Sequence, residues 1–200
     1  MTEIGAGIRD AQRGAVRGVI AQRAMELFLE RGYEETTVDD VAAAVGVSVR
    51  TVFRYVASKE EMVVGAMGDL GLDIADRIAT SPLSSRPWAA LVAGVEGFAH
   101  DLESGGDAAR ARSRLLASTP QLRGALAEKR QRWQDDITPA VAQRLEEPAR
   151  ERELCARAMV AAVLACLDVA VARWAFDAHS GRLIPLFRTA VEAVGDPSGK

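Results

Sequence analysis

The chain has 200 residues, of which 48% are hydrophobic and 26% are charged, and its formal net charge is −3. This composition is typical of a folded globular protein and excludes a disordered chain. No uncharged apolar stretch approaches about 20 residues, so we expect no membrane-spanning segment. The first residues lack the apolar core of a signal peptide.

The cysteines and histidines indicate neither a disulfide nor a metal site. Cys155 and Cys166 lie in one apolar helical segment, too far apart along a helix to form a disulfide. His100 and His179 are distant in sequence, so these four residues cannot form a metal cluster. We therefore expect no metal and no cofactor, buried inert thiols, and a protein of the reducing cytoplasm.

Two windows near the start of the chain are locally basic. Residues 45–59 contain Arg50, Arg54 and Lys59 and no acid, and residues 9–23 contain four arginines against Asp10 alone. This asymmetry favours a polyanionic partner at the N-terminal end. Solvated helix faces would produce the same pattern.

Helix-forming residues dominate the whole sequence, and no alternating β-branched segment is long enough for a strand. Glycine and proline punctuation divides the chain into about nine helices, which predicts an all-α fold. The first helix should cover about 11–31. Two short helices, 38–45 and 49–56, should follow, with Thr37 and Ser48 as N-caps and Gly46 in the turn between them. Ser58 and Glu61 should form a capping box that opens a fourth helix.

Two short helices joined by a glycine turn form a helix-turn-helix unit. The second helix has a small, polar first turn, and Val52 and Val56 are spaced to anchor it to the core. Arg50 can contact a guanine edge or a phosphate. Lys59, at the next helix N-terminus, suits a phosphate.

The segment from Ala21 to Val63 resembles the N-terminal domain of the TetR family of transcriptional repressors. The matching elements, in the family's order, are Leu27-Phe28, Gly32-Tyr33, Thr36-Thr37-Val38, Val41-Ala42, Gly46-Val47-Ser48, Thr51 and Ser58-Lys59-Glu60. The resemblance implies an all-helical homodimer that binds double-stranded operator DNA. Residues 1–60 would form a three-helix DNA-binding domain, and residues 61–200 a helical domain for ligand binding and dimerisation.

The resemblance also assigns roles to single residues. Phosphate contacts fall to Thr37, Tyr55 and Lys59, and groove-facing roles to Ser48, Val49, Arg50, Thr51 and Arg54. Phe53 departs from the family pattern, because the family often has a tyrosine there whose hydroxyl contacts phosphate. That contact is absent or replaced by Arg54, and a core anchor is the favoured interpretation of Phe53.

The C-terminal part contains a helix that is apolar on every side. Between Ala158 and Ala172 only Asp168 is charged, so a second subunit is the natural cover for the face that the chain's own helices leave open. The proposed contact stripe consists of Ala158, Ala161, Ala165, Val169 and Ala172, and the final helix presents Leu183, Leu186, Phe187, Ala190 and Val194 likewise. The resemblance implies a homodimer through the last two helices.

Apolar and aromatic side chains in the middle of predicted helices can wall a pocket for a small lipophilic ligand, such as an acyl chain or an aromatic compound. The candidate residues are Trp88, Phe98, Leu116, Trp133, Ile137, Met159, Val163 and Asp168. Ordinary core packing is the alternative for each apolar residue. Asp168 either pairs with an arginine, such as Arg157 or one across the dimer, or anchors a ligand.

The leading functional interpretation is a ligand-responsive repressor. The alternatives are an enzyme with a vestigial helix-turn-helix, for which we find no nucleophile–base pair, and a structural DNA-binding protein without a ligand. Gly65, Gly68 and Gly71 should lie inside one continuous fourth helix. There they either soften the segment that transmits the ligand signal or allow close packing.

Overall fold

A computed structural model describes residues 2–82, 84–146, 148–177, 179 and 181–195. These residues form ten α-helices and one short 3-10 turn, which confirms the all-α class. The helices are α1 (Thr2–Arg31), α2 (Val38–Val45), α3 (Val49–Tyr55), α4 (Lys59–Val64), α5 (Leu70–Thr80), α6 (Pro87–Ser104), α7 (Gly106–Ser118), α8 (Pro120–Ala142), α9 (Ala149–Phe176) and α10 (Leu183–Val194).

The chain divides into two compact units. The first contains the residues up to Gly68 together with Leu115–Leu126, and the second contains Asp69–Arg114 and the residues from Ala127 onward. The end of α7 and the start of α8 therefore belong to the N-terminal unit.

The core of the first unit is built from the apolar faces of short helices around α1. Ile20 and Phe28 of α1 pack in one buried cluster with Val41 of α2, Val52 of α3 and Met62 of α4. α1 begins earlier than the sequence pattern predicts. Its added turns lie before the apolar periodicity that defined the prediction.

Side-chain caps fix the ends of α2, α3 and α4. Thr37 and Asp40 form a complete capping box at α2, and Gly46 ends that helix with φ of 77°. Ser48 caps α3 by accepting a hydrogen bond from the Thr51 backbone. The Ser58 side chain accepts from the Glu61 backbone, which is the first half of the predicted box.

The prediction of one continuous fourth helix is wrong. α4 ends at Val64, a 3-10 turn covers Gly65–Met67, and Gly68 has φ of 59° and ψ of −153° before α5 begins. That backbone conformation is essentially restricted to glycine, so Gly68 separates the 3-10 turn from α5 rather than softening one continuous helix. Gly71 instead allows close packing, because a Cβ there would lie 2.9 Å from the Cα of Trp133.

The second unit buries one face of α9 and exposes the other. The buried face carries Met159, Val163, Cys166, Leu167, Ala170 and Trp174. The stripe predicted for a partner, Ala158, Ala161, Ala165, Val169 and Ala172, is exposed within the chain. Segment 150–176 is long and apolar enough to cross a membrane by length and composition, contrary to the expectation from sequence. The core helix of a helical bundle meets the same criterion. In segment 150–176, 44% of the most apolar window is buried inside the chain.

Only part of the stripe predicted for α10 is accessible to a partner. Leu183 and Phe187 are completely buried within their own unit, because they pack α10 against the rest of that unit. They therefore cannot form a partner contact. Leu186 and Ala190 are half-buried, and Val194 is exposed.

Candidate nucleic-acid interface and ligand-binding residues

The recognition-helix candidate α3 has one buried and one exposed face. Val52 is completely buried, and Val56, directly after the helix, is 4% exposed. Arg50, Phe53 and Arg54 are exposed, and their spacing of three and four residues places them on one face. Phe53 is 51% exposed, so its interpretation as a core anchor is wrong, because the two valines fill that role.

The first turn of α3 is organised by two hydroxyl groups. The Ser48 and Thr51 side chains are hydrogen-bonded at 2.9 Å, and the Thr51 backbone N–H donates to Ser48 Oγ at 3.1 Å. Val49 is half-buried against the core, so only part of its side chain is accessible. The turn therefore presents two fixed hydroxyls beside the Arg50 side chain.

Thr37 lies at the N-terminus of α2, where its hydroxyl is already used within the chain. Its Oγ1 donates to Asp40 Oδ2 at 2.6 Å and accepts from the Asp40 backbone at 3.1 Å. The Thr37 hydroxyl and backbone N–H hold the pKa of Asp40 below its ordinary value. A phosphate at Thr37 would have to compete with this carboxylate or use the remaining backbone N–H groups of the helix terminus.

The C-terminal end of α3 is tied to α1. Arg17 Nε donates to the backbone carbonyl of Tyr55 at 2.6 Å. Arg54 Nη2 donates to the Tyr55 hydroxyl at 3.3 Å and the guanidinium lies 5.0 Å from the ring centre. Sequence reasoning missed the role of Arg17, although the basic window at 9–23 contains it.

Lys59 is held by aromatic and backbone groups of its own unit. Its ammonium donates to the Tyr33 carbonyl and lies 4.0 Å from the Tyr33 ring centre and 5.4 Å from that of Phe28. The Tyr33 hydroxyl donates to Glu60 Oε1 at 2.8 Å. These contacts join α1, the turn after it and α4. The sequence did not predict the hydrogen bond between Tyr33 and Glu60, because the two residues are 27 positions apart.

The exposed face of α3 is cationic and open. Among the described side chains no carboxylate pairs with Arg50, and no acid occurs in residues 45–59. A short helix with a polar first turn and two exposed arginines has the size and charge to enter a major groove and bind base edges and phosphates.

Comparison with known proteins agrees with the interpretation of α3 as a nucleic-acid-binding helix. Residues 20–66 match the family model for bacterial regulatory proteins of the tetR family, and residues 85–198 match the model for the MftR C-terminal domain, which covers more than half of the chain. The chain belongs to the TetR family. This confirms the resemblance inferred from the residues between Ala21 and Val63.

Curated relatives of this TetR-family chain are transcriptional regulators. TcmR of Streptomyces glaucescens is 36% identical over 90 residues, which are 45% of this chain and 40% of TcmR. MftR of Mycobacterium tuberculosis is 34% identical over 131 residues, 62% of this chain and 63% of that protein. The chain thus spans less than two thirds of the length of these two relatives.

Solved structures show the same fold at low sequence identity. The crystal structure of Thermus thermophilus FadR, a TetR-family repressor in complex with lauroyl-CoA, is 22% identical with a TM-score of 0.55. The match covers 89% of this chain and 92% of that chain.

The predicted ligand-binding residues of the TetR-family chain do not all lie together. Leu116 packs in the core of the first unit, whereas the other candidates belong to the second unit. Of these, Trp88, Trp133, Ile137, Met159 and Val163 are buried. Phe98 is half-buried and its ring centre lies 6.3 Å from that of Trp133. Within the described ranges, no three His, Cys, Asp or Glu side chains group to hold a metal ion.

Asp168 pairs with a residue that the sequence did not single out. Its carboxylate forms an ion pair with Arg130 of α8, whereas Arg157 pairs with Asp135 at 3.0 Å. The expected ion pair with an arginine is present, but the example of Arg157 is wrong, because α8 rather than α9 supplies the cation. Arg130 also donates to the Leu164 carbonyl at 3.3 Å. Burial lowers the pKa of Arg130, and the Asp168 carboxylate opposes this effect.

Proposed function

We propose that this chain is a ligand-responsive transcriptional repressor that binds a palindromic operator as a homodimer. The observation that carries the proposal is the exposed face of α3, with Arg50 and Arg54 beside the hydroxyl pair of Ser48 and Thr51. The proposed division assigns DNA binding to residues 1–60 and ligand binding and dimerisation to residues 61–200. The proposed location is the cytoplasm, and no catalytic role is assigned to any residue.

Within this proposal, base reading falls to the first turn of α3. Arg50 binds a guanine edge, and Ser48, Val49 and Thr51 face the groove. Phosphates are bound around it by Arg54, Tyr55, Thr37 and Lys59. The two-fold symmetry of the proposed dimer relates its two recognition helices. The two half-sites of the operator should therefore lie about one helical turn apart or somewhat more.

The proposed dimer forms through α9 and α10. The exposed alanine and valine stripe of α9 supports this, because small side chains on a helix face allow close helix approach. Leu154 and Phe176, near the two ends of α9, are 69% and 58% exposed, so the apolar surface extends along the helix. An apolar face of this length is the kind that a partner subunit covers.

The proposed effector is a small lipophilic molecule bound in the second unit. Trp88, Trp133, Ile137, Met159 and Val163 supply apolar side chains on α6, α8 and α9 that support this ligand class. Binding releases the operator only if the ligand has different affinities for the two DNA-binding states of the protein.

Operator selection followed by fluorescence anisotropy tests the proposed function. A duplex is selected from a randomised library with wild-type protein, and its affinity is compared with that of a random duplex at several salt concentrations. Arg50→Ala should weaken operator binding by about 1–3 kcal/mol and relax specificity at one base pair. Failure of the wild type to select any sequence would contradict the proposed function.

Arg23→Ala is the matched control. Arg23 is an exposed arginine in the same unit, and it pairs with Glu26 at 2.6 Å on α1. Its removal should leave the selected operator's affinity nearly unchanged. Equal losses in both variants would show that Arg50 contributes only general positive charge.

A further inference from the structure

Two buried hydrogen-bond donors on one face of α8 have no acceptor among the described protein atoms. They are Arg130 Nε and Trp133 Nε1. The side chain of Trp133 is 2% exposed. Burying an N–H group without an acceptor costs free energy. A bound molecule that accepts from such a group would remove this cost.

The two side chains that carry these donors are in contact. They are three residues apart on α8, and the Arg130 guanidinium carbon lies 5.2 Å from the Trp133 ring centre. A carbonyl oxygen has two lone pairs and no hydrogen of its own, so one such oxygen can accept from both groups. One carbonyl oxygen placed at the edge of this stacked pair would satisfy both donors.

The charge of the acceptor is limited by Asp168. Its carboxylate already pairs with the Arg130 guanidinium. A second carboxylate at Arg130 would place two negative charges beside one cation, and like charges that close together repel each other. A neutral oxygen avoids this repulsion and still satisfies both donors.

The surroundings are apolar on the ring side. The Phe98 ring packs on Trp133 in a tilted arrangement. Ile137, one turn further along α8, is completely buried. A ligand reaching the two donors would therefore place its carbonyl among aromatic and aliphatic side chains.

We propose that Arg130 and Trp133 together bind the carbonyl oxygen of an uncharged lipophilic ligand, such as a ketone, ester or amide. This rests on the proposed function, because it specifies the chemical class of the effector. It assigns the ligand a polar end that the apolar candidate residues do not provide.

Isothermal titration calorimetry with two ten-carbon probes tests the proposal. The probes are 2-decanone, which has a neutral carbonyl, and decanoate, which has a carboxylate. Wild-type protein should bind 2-decanone more tightly than decanoate. Trp133→Phe keeps an aromatic ring but removes the donor, and it should weaken 2-decanone binding about tenfold.

The control variant is Trp174→Phe. Trp174 is also buried, lies on α9 outside the proposed ligand-binding residues, and its indole nitrogen is not one of the two unpartnered donors, so its replacement should leave the preference between the probes unchanged. Arg130→Lys is a second test. It keeps a cation beside Asp168 but lacks the Nε donor, so it should also weaken binding of the ketone.

Three results would overturn the proposal: binding of neither probe, equal or tighter binding of decanoate, or unchanged ketone affinity in both donor variants. Operator affinity is measured in the same samples. Operator binding without a ketone preference would overturn this assignment and leave the proposed regulator intact, whereas loss of operator binding by the wild type would contradict the regulator itself.

Discussion

The ammonium group of Lys59 donates a hydrogen bond to the backbone carbonyl of Tyr33 and lies against the face of the Tyr33 ring. The Tyr33 hydroxyl in turn donates to Glu60. Burial and the neighbouring Glu60 carboxylate raise the pKa of Tyr33, so its hydroxyl stays protonated and able to donate. Burial alone would raise the pKa of Glu60, but hydrogen bonds to it hold that pKa low. The cluster fastens the start of α4 to the end of α1.

Lys59→Gln should therefore lower the free energy of unfolding by about 1–2 kcal/mol, because it removes one hydrogen bond and a cation–π contact. The same variant tests the phosphate role of Lys59. If the ammonium leaves Tyr33 to bind a phosphate, the salt dependence of operator affinity should fall by about one unit of slope. Urea unfolding and anisotropy at several salt concentrations measure the two effects separately.

Lys129→Gln is the control, since Lys129 lies on α8 and has neither of these contacts in the described structure. Unchanged stability of Lys59→Gln would contradict the structural role of the cluster. An unchanged salt slope would remove Lys59 from the phosphate contacts.

Gly68→Ala should destabilise the protein by about 1–3 kcal/mol, because the φ of 59° and ψ of −153° at this position disfavour any residue with a Cβ. Gly124→Ala is the matched control. Gly124 lies within α8 and a Cβ there would meet nothing within 4 Å, so alanine should stabilise by about 0.5–1 kcal/mol. Thermal or urea unfolding measures both. A stabilised Gly68→Ala variant would show that the chain does not need this backbone conformation.

Local sequence rules predicted the helix-turn-helix well. Thr37, Gly46 and Ser48 are signals read within four residues of the helix ends that they set, and all three act as predicted. The anchoring by Val52 and Val56 also follows from local helical spacing. Such features depend on neighbours in sequence, which a single sequence displays.

Contacts between distant segments could not be predicted in this way. The Asp168 partner lies 38 positions away on another helix, and many arginines were equally available to the sequence argument. Leu116 carries the same apolar pattern as the ligand candidates but packs in the other unit. Periodicity shows that a face is apolar, but it does not show which surface covers that face.

Glu103 should make stability depend on pH in the acidic range. Its carboxylate accepts a hydrogen bond from Arg182 at 3.0 Å. It also accepts one at 2.5 Å from the backbone N–H of Leu183, the first residue of α10. Burial would raise the pKa of Glu103, but these hydrogen bonds outweigh it and lower that pKa below the ordinary value of 4.5. The contribution is therefore complete above about pH 4.5 and is lost as the pH falls through the lowered pKa.

Glu103→Gln should cost about 1–2 kcal/mol at neutral pH, and the difference from wild type should shrink as the pH falls below about 4. Glu128→Gln, at an exposed position on α8, should show neither effect. Urea unfolding at fixed protein concentration measures all three proteins across the pH range. A difference that stays constant with pH would exclude the Glu103 charge as its cause.

The exposed stripe of α9 gives a sharp test of the proposed dimer. Ala161 and Ala165 are exposed within the chain, so a glutamate at either position should be tolerated by the isolated subunit, as surface substitutions usually are. Across a dimer interface the same carboxylate would be buried without a partner, which is costly. Ala161→Glu and Ala165→Glu should therefore yield folded monomers with much weaker operator binding. Sedimentation velocity, circular dichroism and anisotropy measure assembly, folding and DNA affinity.

Ala108→Glu, at an exposed alanine of α7, should remain a dimer with wild-type affinity. If both α9 variants instead stay dimeric and bind operator normally, another surface of the chain forms the interface.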